Sequence, residues 1–254
     1  MSVETSVYKR AYIWELPVRI FHWVNAFSIT ILVVTGFIIA NPPGIISNKE
    51  ASGQFWLGYI REIHFISAYL FVSVLILRVY FAFKGNKYAN WRVFFPFKKE
   101  GFARMWHVIK YDILLQNEKG NIAPNAVVGH NSVAAASYFL MFLMALVMIA
   151  TGFALYEPAA TWFLPKMFAW VPNVLGGDFN VRLVHHFTTW TFILFAIVHI
   201  YLVFFHDWLE GRGETSAMIS GYKFVNAERV KKEELNHKEE AQKREVNQEE
   251  AENL

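Results

Sequence analysis

The sequence predicts an all-α membrane protein, a bundle of four transmembrane helices. Three observations predict it. Of 254 residues, 55% are hydrophobic and only 18% charged, against roughly 25% charged in an ordinary soluble domain. Four apolar runs, residues 18–40, 63–83, 132–155 and 183–205, are each 21 to 24 residues long. At about 1.5 Å rise per residue they reach about 32–36 Å, enough to cross a hydrocarbon core. Finally, Lys and Arg gather in alternate connections between the runs, as membrane topology demands.

The first run is too long for the apolar core of a signal peptide. It ends in the turn Asn41-Pro42-Pro43-Gly44 with no small-residue cleavage site, so it is expected to remain as the first helix. Lys9, Arg10 and Arg19 flank its start. The connection to the second run carries only Lys49 and Arg61. The connection from the second to the third carries Lys84, Lys87, Arg92, Lys98, Lys99, Arg104, Lys110 and Lys119. The last connection has Lys166 and Arg182, and Arg212, Lys223 and Arg229 follow the fourth run. This asymmetry puts both termini and the central connection on the cytoplasmic side of the membrane. Residues 1–225 form the membrane domain. Residues 226–254, mostly Glu, Lys, Arg, Gln and Asn, form a solvated tail without assigned chemistry. The net charge of +3 is small, membrane lipid is the expected surroundings, and no nucleic-acid partner is expected.

The chain has no cysteine. Disulfides, Fe–S clusters, thiolate zinc sites and covalently attached c-type haem are thereby excluded. A metal or haem must be held by His, Met or carboxylate.

Ionisable groups at membrane depth are costly and mark sites. His22 lies near the cytoplasmic start of the first helix, and His64 within the first few residues from the outer edge of the second. His185 and His186 open the fourth helix, and His199 lies towards its inner end. His185 and His199, 14 residues apart, differ by only about 40° in direction and about 21 Å in height. His186 points elsewhere. Matched by depth, the four histidines sort into two storeys, His22 with His199 and His64 with His185. Facing imidazoles at one depth suit the two axial positions of a haem iron, leaving no open position for bond chemistry. A bare zinc ion would want three or four ligands. The bundle is thus expected to hold two haems about 20 Å apart by the helix rise. On the residues alone, a haem-free membrane anchor or a transporter whose histidines carry protons stays open.

Arg19, Arg61 and Arg182 each stand three residues before a histidine, His22, His64 and His185. That is one turn nearer the water on the same face, where a guanidinium meets haem propionates or snorkels from a helix end. Thr35-Gly36-Phe37 and Thr151-Gly152-Phe153 close the first and third helices. Their glycines admit either a macrocycle or a closely packed helix. Gly129-His130-Asn131-Ser132 opens the third helix ahead of Ala134-Ala135-Ala136. Asn131 there is either a helix cap or, at the depth of the inner histidines, a hydrogen-bonding group for a quinone.

Residues 19–36 (Arg19, His22, Trp23, Asn25, Thr35 and Gly36 in order) and 182–199 (Arg182, His185, His186, Trp190, Phe195, His199) resemble the b-type cytochrome subunit of membrane-bound nickel–iron uptake hydrogenases. The likeness runs from about residue 8 to about residue 225, and the gamma subunits of formate dehydrogenase are more distantly similar. The resemblance implies two haem b groups ligated by His22/His199 and His64/His185. It implies a periplasmic hydrogenase small subunit as partner, whose Fe–S cluster feeds the outer haem, and through it the large subunit. It implies electron transfer inward to a quinone, menaquinone or ubiquinone, near Asn131 and His199. By the same resemblance the chain is an electron-transfer subunit with no catalytic residue of its own for hydrogen chemistry. A gamma-type cytochrome serving another oxidoreductase, such as formate dehydrogenase, is the alternative.

Overall fold

A computed structural model describes residues 8–44, 55–86, 89–91, 132–210 and 213–227. Four long helices dominate: α1 (Leu16–Ala40), α2 (Trp56–Lys84), α3 (Ser132–Tyr156) and α6 (Asp178–Glu210). All four are long and apolar enough to cross a membrane. Their apolar residues run round the whole circumference, and large side chains such as Phe27, Ile31, Leu70, Leu140, Leu194 and Ile197 face outward. That is the surface lipid requires and water would not tolerate. Polar hydroxyls within the spans satisfy themselves locally. Thr30 donates to the Ala26 carbonyl at 2.8 Å, Ser73 to Tyr69 at 2.8 Å and Thr188 to Val184 at 2.8 Å.

The apolar runs locate these helices but understate two of them. α2 begins at Trp56 rather than near residue 63, and α6 spans Asp178–Glu210 rather than 183–205. Gly58, Arg61, Glu62 and the start Asp178-Phe179-Asn180 depress hydropathy without breaking the backbone. His64 and His185 therefore sit eight and seven residues inside their helices, not within the first few.

α1 packs along α2, and α3 along α6. The two pairs meet in a central core of Phe71, Ala145 and Phe192, lined by Ile29, Leu32, Leu75, Met141, Met144, Met148 and Ile149. Every spanning helix contributes to this layer. Short helices α4 (Phe163–Lys166) and α5 (Val171–Leu175) join α3 to α6. They close the far end of the bundle over Ala154, Val171 and Val181.

The other end carries both described chain ends and has structure that apolar runs do not reveal. Strand β1 (Tyr8–Tyr12) pairs antiparallel with β2 (Tyr222–Asn226), Tyr8 opposite Asn226 and Tyr12 opposite Tyr222. Helix α7 (Glu214–Ser220) leads into β2. Ile13, Trp14, Ala217 and Val225 form its small core. Gly221 makes the turn possible. Its φ is +84°, and a Cβ there would lie 2.5 Å from Tyr12 Cε2 and 2.7 Å from the Trp14 carbonyl oxygen. Arg10 lies over the Tyr222 ring, 3.9 Å from its centre. Arg19 and Trp23 of α1 donate to the carbonyls of Ile219 and Met218, the latter at 3.0 Å. Asn86, just beyond α2, donates to the Ile13 carbonyl at 3.1 Å and, through its backbone, to Glu15 at 3.0 Å. This clasp ties α1, α2 and the segment following α6 together.

Candidate functional site: two histidine storeys

α6 positions two histidines, His185 and His199, and each meets a side chain of another spanning helix. Towards the clasped end, His22 of α1 and His199 of α6 face each other with ring centres 6.3 Å apart and planes at 54°. His199 stacks nearly parallel on Phe195, 5.5 Å away at 10°. Trp23 meets His22 edge-on at 5.2 Å. His22 Nδ1 is buried without a hydrogen-bond partner among the described residues.

The far storey is held differently. His64 Nδ1 lies 2.8 Å from Thr35 Oγ1, and His185 Nδ1 lies 2.8 Å from Thr151 Oγ1. Each ring lies against the helix packed beside its own, α1 for His64 and α3 for His185. The proton inventory of the two threonines settles the direction of these bonds. A hydroxyl has one proton. Thr35 Oγ1 donates it to the Ile31 carbonyl at 2.6 Å, and Thr151 Oγ1 to the Val147 carbonyl at 2.7 Å. Each oxygen thus offers only lone pairs to its imidazole, and each imidazole donates from Nδ1. Nε2 is left as a bare lone pair on both rings, the form in which histidine binds metal.

The glycines that follow the threonines make this approach possible. A Cβ on Gly152 would come within 3.3 Å of His185 Cε1, and one on Gly36 within 3.5 Å of His64 Cε1. From sequence these glycines suit a macrocycle or a neighbouring helix, but an imidazole occupies the space in front of each. Thr35 and Thr151 are the residues that a reading centred on histidine passes over. The duplicated Thr-Gly-Phe triplet is the signal that points to them.

The arginines divide. Arg19 uses one guanidinium donor on the Ile219 carbonyl, while its Nε is buried without a partner among the described residues. Arg61 and Arg182 are exposed at the far end. His186 follows His185 on α6 and is half-buried. Asn131, like His107 and His130, lies outside the described residues. Among the described residues no three His, Asp or Glu side chains converge as a bare metal ion would require.

The histidine set fits a haem iron on two counts. Two metal–nitrogen bonds of about 2 Å, plus about 1.1 Å from each nitrogen to its ring centre, put facing imidazole centres about 6 Å apart, which is the spacing of His22 and His199. The far pair is already in the tautomer that coordination needs.

Comparison with known proteins agrees with this architecture. The family model for prokaryotic cytochrome b561 matches residues 13–221. A protein of Cupriavidus necator named "Probable Ni/Fe-hydrogenase B-type cytochrome subunit" is 37% identical over 220 residues, 85% of this chain and 87% of that one. A protein of the same name from Rhizobium leguminosarum is 39% identical over 215 residues, 83% and 87% of the two chains. An Escherichia coli protein, named for Ni/Fe-hydrogenase 1, is 34% identical over 217 residues, 84% and 90%. With four membrane-spanning helices and this match over most of its length, the chain belongs to the prokaryotic cytochrome b561 family, a multi-pass b-type cytochrome of a bacterial membrane.

Proposed function

We propose that this chain is the two-haem cytochrome of a nickel–iron hydrogenase and relays electrons from a periplasmic hydrogenase to quinone. The observation that carries the reading is the pair of histidine storeys on α6. One has ring centres 6.3 Å apart, and the other has both Nδ1 protons committed to threonine. The relatives' printed names supply the hydrogenase, and the Lys and Arg of the flanks supply the orientation, with the clasped end cytoplasmic.

In this reading His22 and His199 hold one haem b and His64 and His185 the other. Haem b, when bound there, supplies a one-electron couple with no open coordination position. Arg61 and Arg182 stand one turn outward of the far histidines, placed for propionate carboxylates. The free Nε of Arg19 serves the clasped storey in the same way. The apolar layer of Phe71, Ala145 and Phe192 keeps water out between the storeys. The Fe–S small subunit of the hydrogenase docks at the far end, with the large subunit attached through it. Asn131 and His199 hold the quinone headgroup at the clasped end.

Hydrogen oxidised by the partner yields two protons outside and two electrons. The chain passes these inward one at a time, and quinone takes both electrons with two protons from the cytoplasm. Each charge moved against 100 mV requires about 2.3 kcal/mol, so turnover builds membrane potential.

Two measurements test the proposal. Purified chain should carry two b haems, seen as a b-type α band on dithionite reduction, and a chain without that band refutes it. Proteoliposomes holding the complex and quinone should develop a potential on hydrogen, and none appearing sinks the inward-transfer direction. Co-purification with formate dehydrogenase in place of hydrogenase would reassign the partner.

A further inference from the structure

We propose that Thr35 and Thr151 are tuning residues that lower the reduction potential of the far-end haem, acting through His64 and His185. The inference rests on the two-haem reading above and goes beyond it, because it assigns a role to residues outside the ligand set and distinguishes the two storeys electronically.

The same arrangement occurs twice. Thr35 lies on α1, which packs along α2 and its His64. Thr151 lies on α3, which packs along α6 and its His185. In both cases the hydroxyl proton goes to the carbonyl four residues back, at 2.6 and 2.7 Å, and the imidazole donates to the oxygen at 2.8 Å. In both cases the next residue is glycine, which leaves room for the ring to close on the helix. A hydroxyl already donating to a carbonyl is a better acceptor, because linked hydrogen bonds polarise one another. An imidazole that donates from Nδ1 to such an oxygen gains electron density at Nε2 and becomes a stronger ligand base. A stronger base favours ferric over ferrous iron, which lowers the potential.

The clasped storey has no such bond among the described residues. His22 Nδ1 is unpartnered, and His199 is supported by the face of Phe195. Stabilising the ferric form at the far end alone favours electron flow from the far storey to the clasped one. The bias is built from two hydroxyls.

The test is redox potentiometry of the purified hydrogenase–cytochrome complex carrying Thr35→Val, Thr151→Val, both, and the matching serine variants. His64→Ala and His22→Ala first assign each spectral component to a storey. Valine keeps the volume and removes the acceptor, whereas serine keeps the hydroxyl. The expected result is that both haems are retained in the valine variants. The far-end component alone should rise, changing its ferrous-to-ferric ratio at fixed potential about three- to tenfold in the double variant. That is about 30–60 mV for a one-electron couple. The ferric low-spin electron-resonance signal of that haem should shift with it, and serine should restore both.

Unchanged potentials in all valine variants overturn the proposal, as does an equal shift of both haems. If valine ejects the far haem, serine variants decide. Wild-type potential with serine supports the hydroxyl, and loss with serine as well shows a packing role and overturns it. A complex whose haem content is unaffected by His64→Ala would instead refute the ligand assignment itself, a result distinct from all of these.

Discussion

Gly152 and Gly36 occupy matching places beside the far histidines, yet alanine should act differently at each. At Gly36 the new methyl would lie 3.5 Å from His64 Cε1, an ordinary contact. Replacing a mid-helix glycine by alanine favours the helix by about 0.5–1 kcal/mol, so Gly36→Ala should be neutral or slightly stabilising. At Gly152 the methyl would lie 3.3 Å from His185 Cε1. The imidazole cannot simply retreat, because its Nδ1 is tied to Thr151 on the same helix as the intruding methyl. Overpacking a tight site costs about 1–3 kcal/mol. Set against the helix gain, Gly152→Ala should lose about 1 kcal/mol net, roughly a fivefold change in the equilibrium constant for holding the far storey together. Gly152→Val, with more bulk against the same ring, should lose more. The assay is b-haem α absorbance per chain through a thermal ramp, with the far component identified by His64→Ala. Equal haem retention in Gly36→Ala and Gly152→Ala, or full retention in Gly152→Val, would refute the reasoning.

Further outcomes are expected. His22→Ala or His199→Ala should remove the clasped-end haem and quinone reduction while sparing the far α band in a reduced-minus-oxidised spectrum. His186→Ala should leave both haems in place, and loss of one by pyridine haemochromogen assay would move the ligand assignment. Gly221→Ala forces a methyl against Tyr12 and the Trp14 carbonyl at positive φ. It should destabilise the clasp by about 1–3 kcal/mol, seen as faster proteolysis within residues 8–15 with the far haem intact. Trp23→Phe removes the indole donor to Met218 and should cost about 1 kcal/mol, read as a lower melting temperature of the clasped-end haem.

The spanning helices were legible because lipid imposes one rule on every turn of a helix: an apolar run is the whole requirement. Their ends were less so. Arg61 and Glu62 lie within α2, and Asp178 opens α6, where helix continues past the apolar stretch. The meeting of His22 with His199 was also legible, since depth along a helix follows directly from residue count. The threonine partners were not. Seeing Thr35 beside His64 requires the rotation of α1 about its axis relative to α2, and an all-round apolar helix carries no stripe that fixes this. The strand pair was hidden for another reason. Five-residue strands at opposite ends of the chain, with charges at Lys9, Arg10 and Lys223, have no local pattern long enough to announce a partner.

That strand pair constrains how the protein is made. Residue 8 pairs with residue 226, so β1 leaves the ribosome long before its partner exists. All four spans must be threaded into the bilayer first, and contacts this distant in sequence close last. His22 consequently spends the whole of synthesis on a helix whose neighbours Arg19 and Trp23 have no carbonyls from α7 to hold them. The storey at the clasped end is therefore the last to be sealed, when the segment Glu214–Asn226 folds back over it.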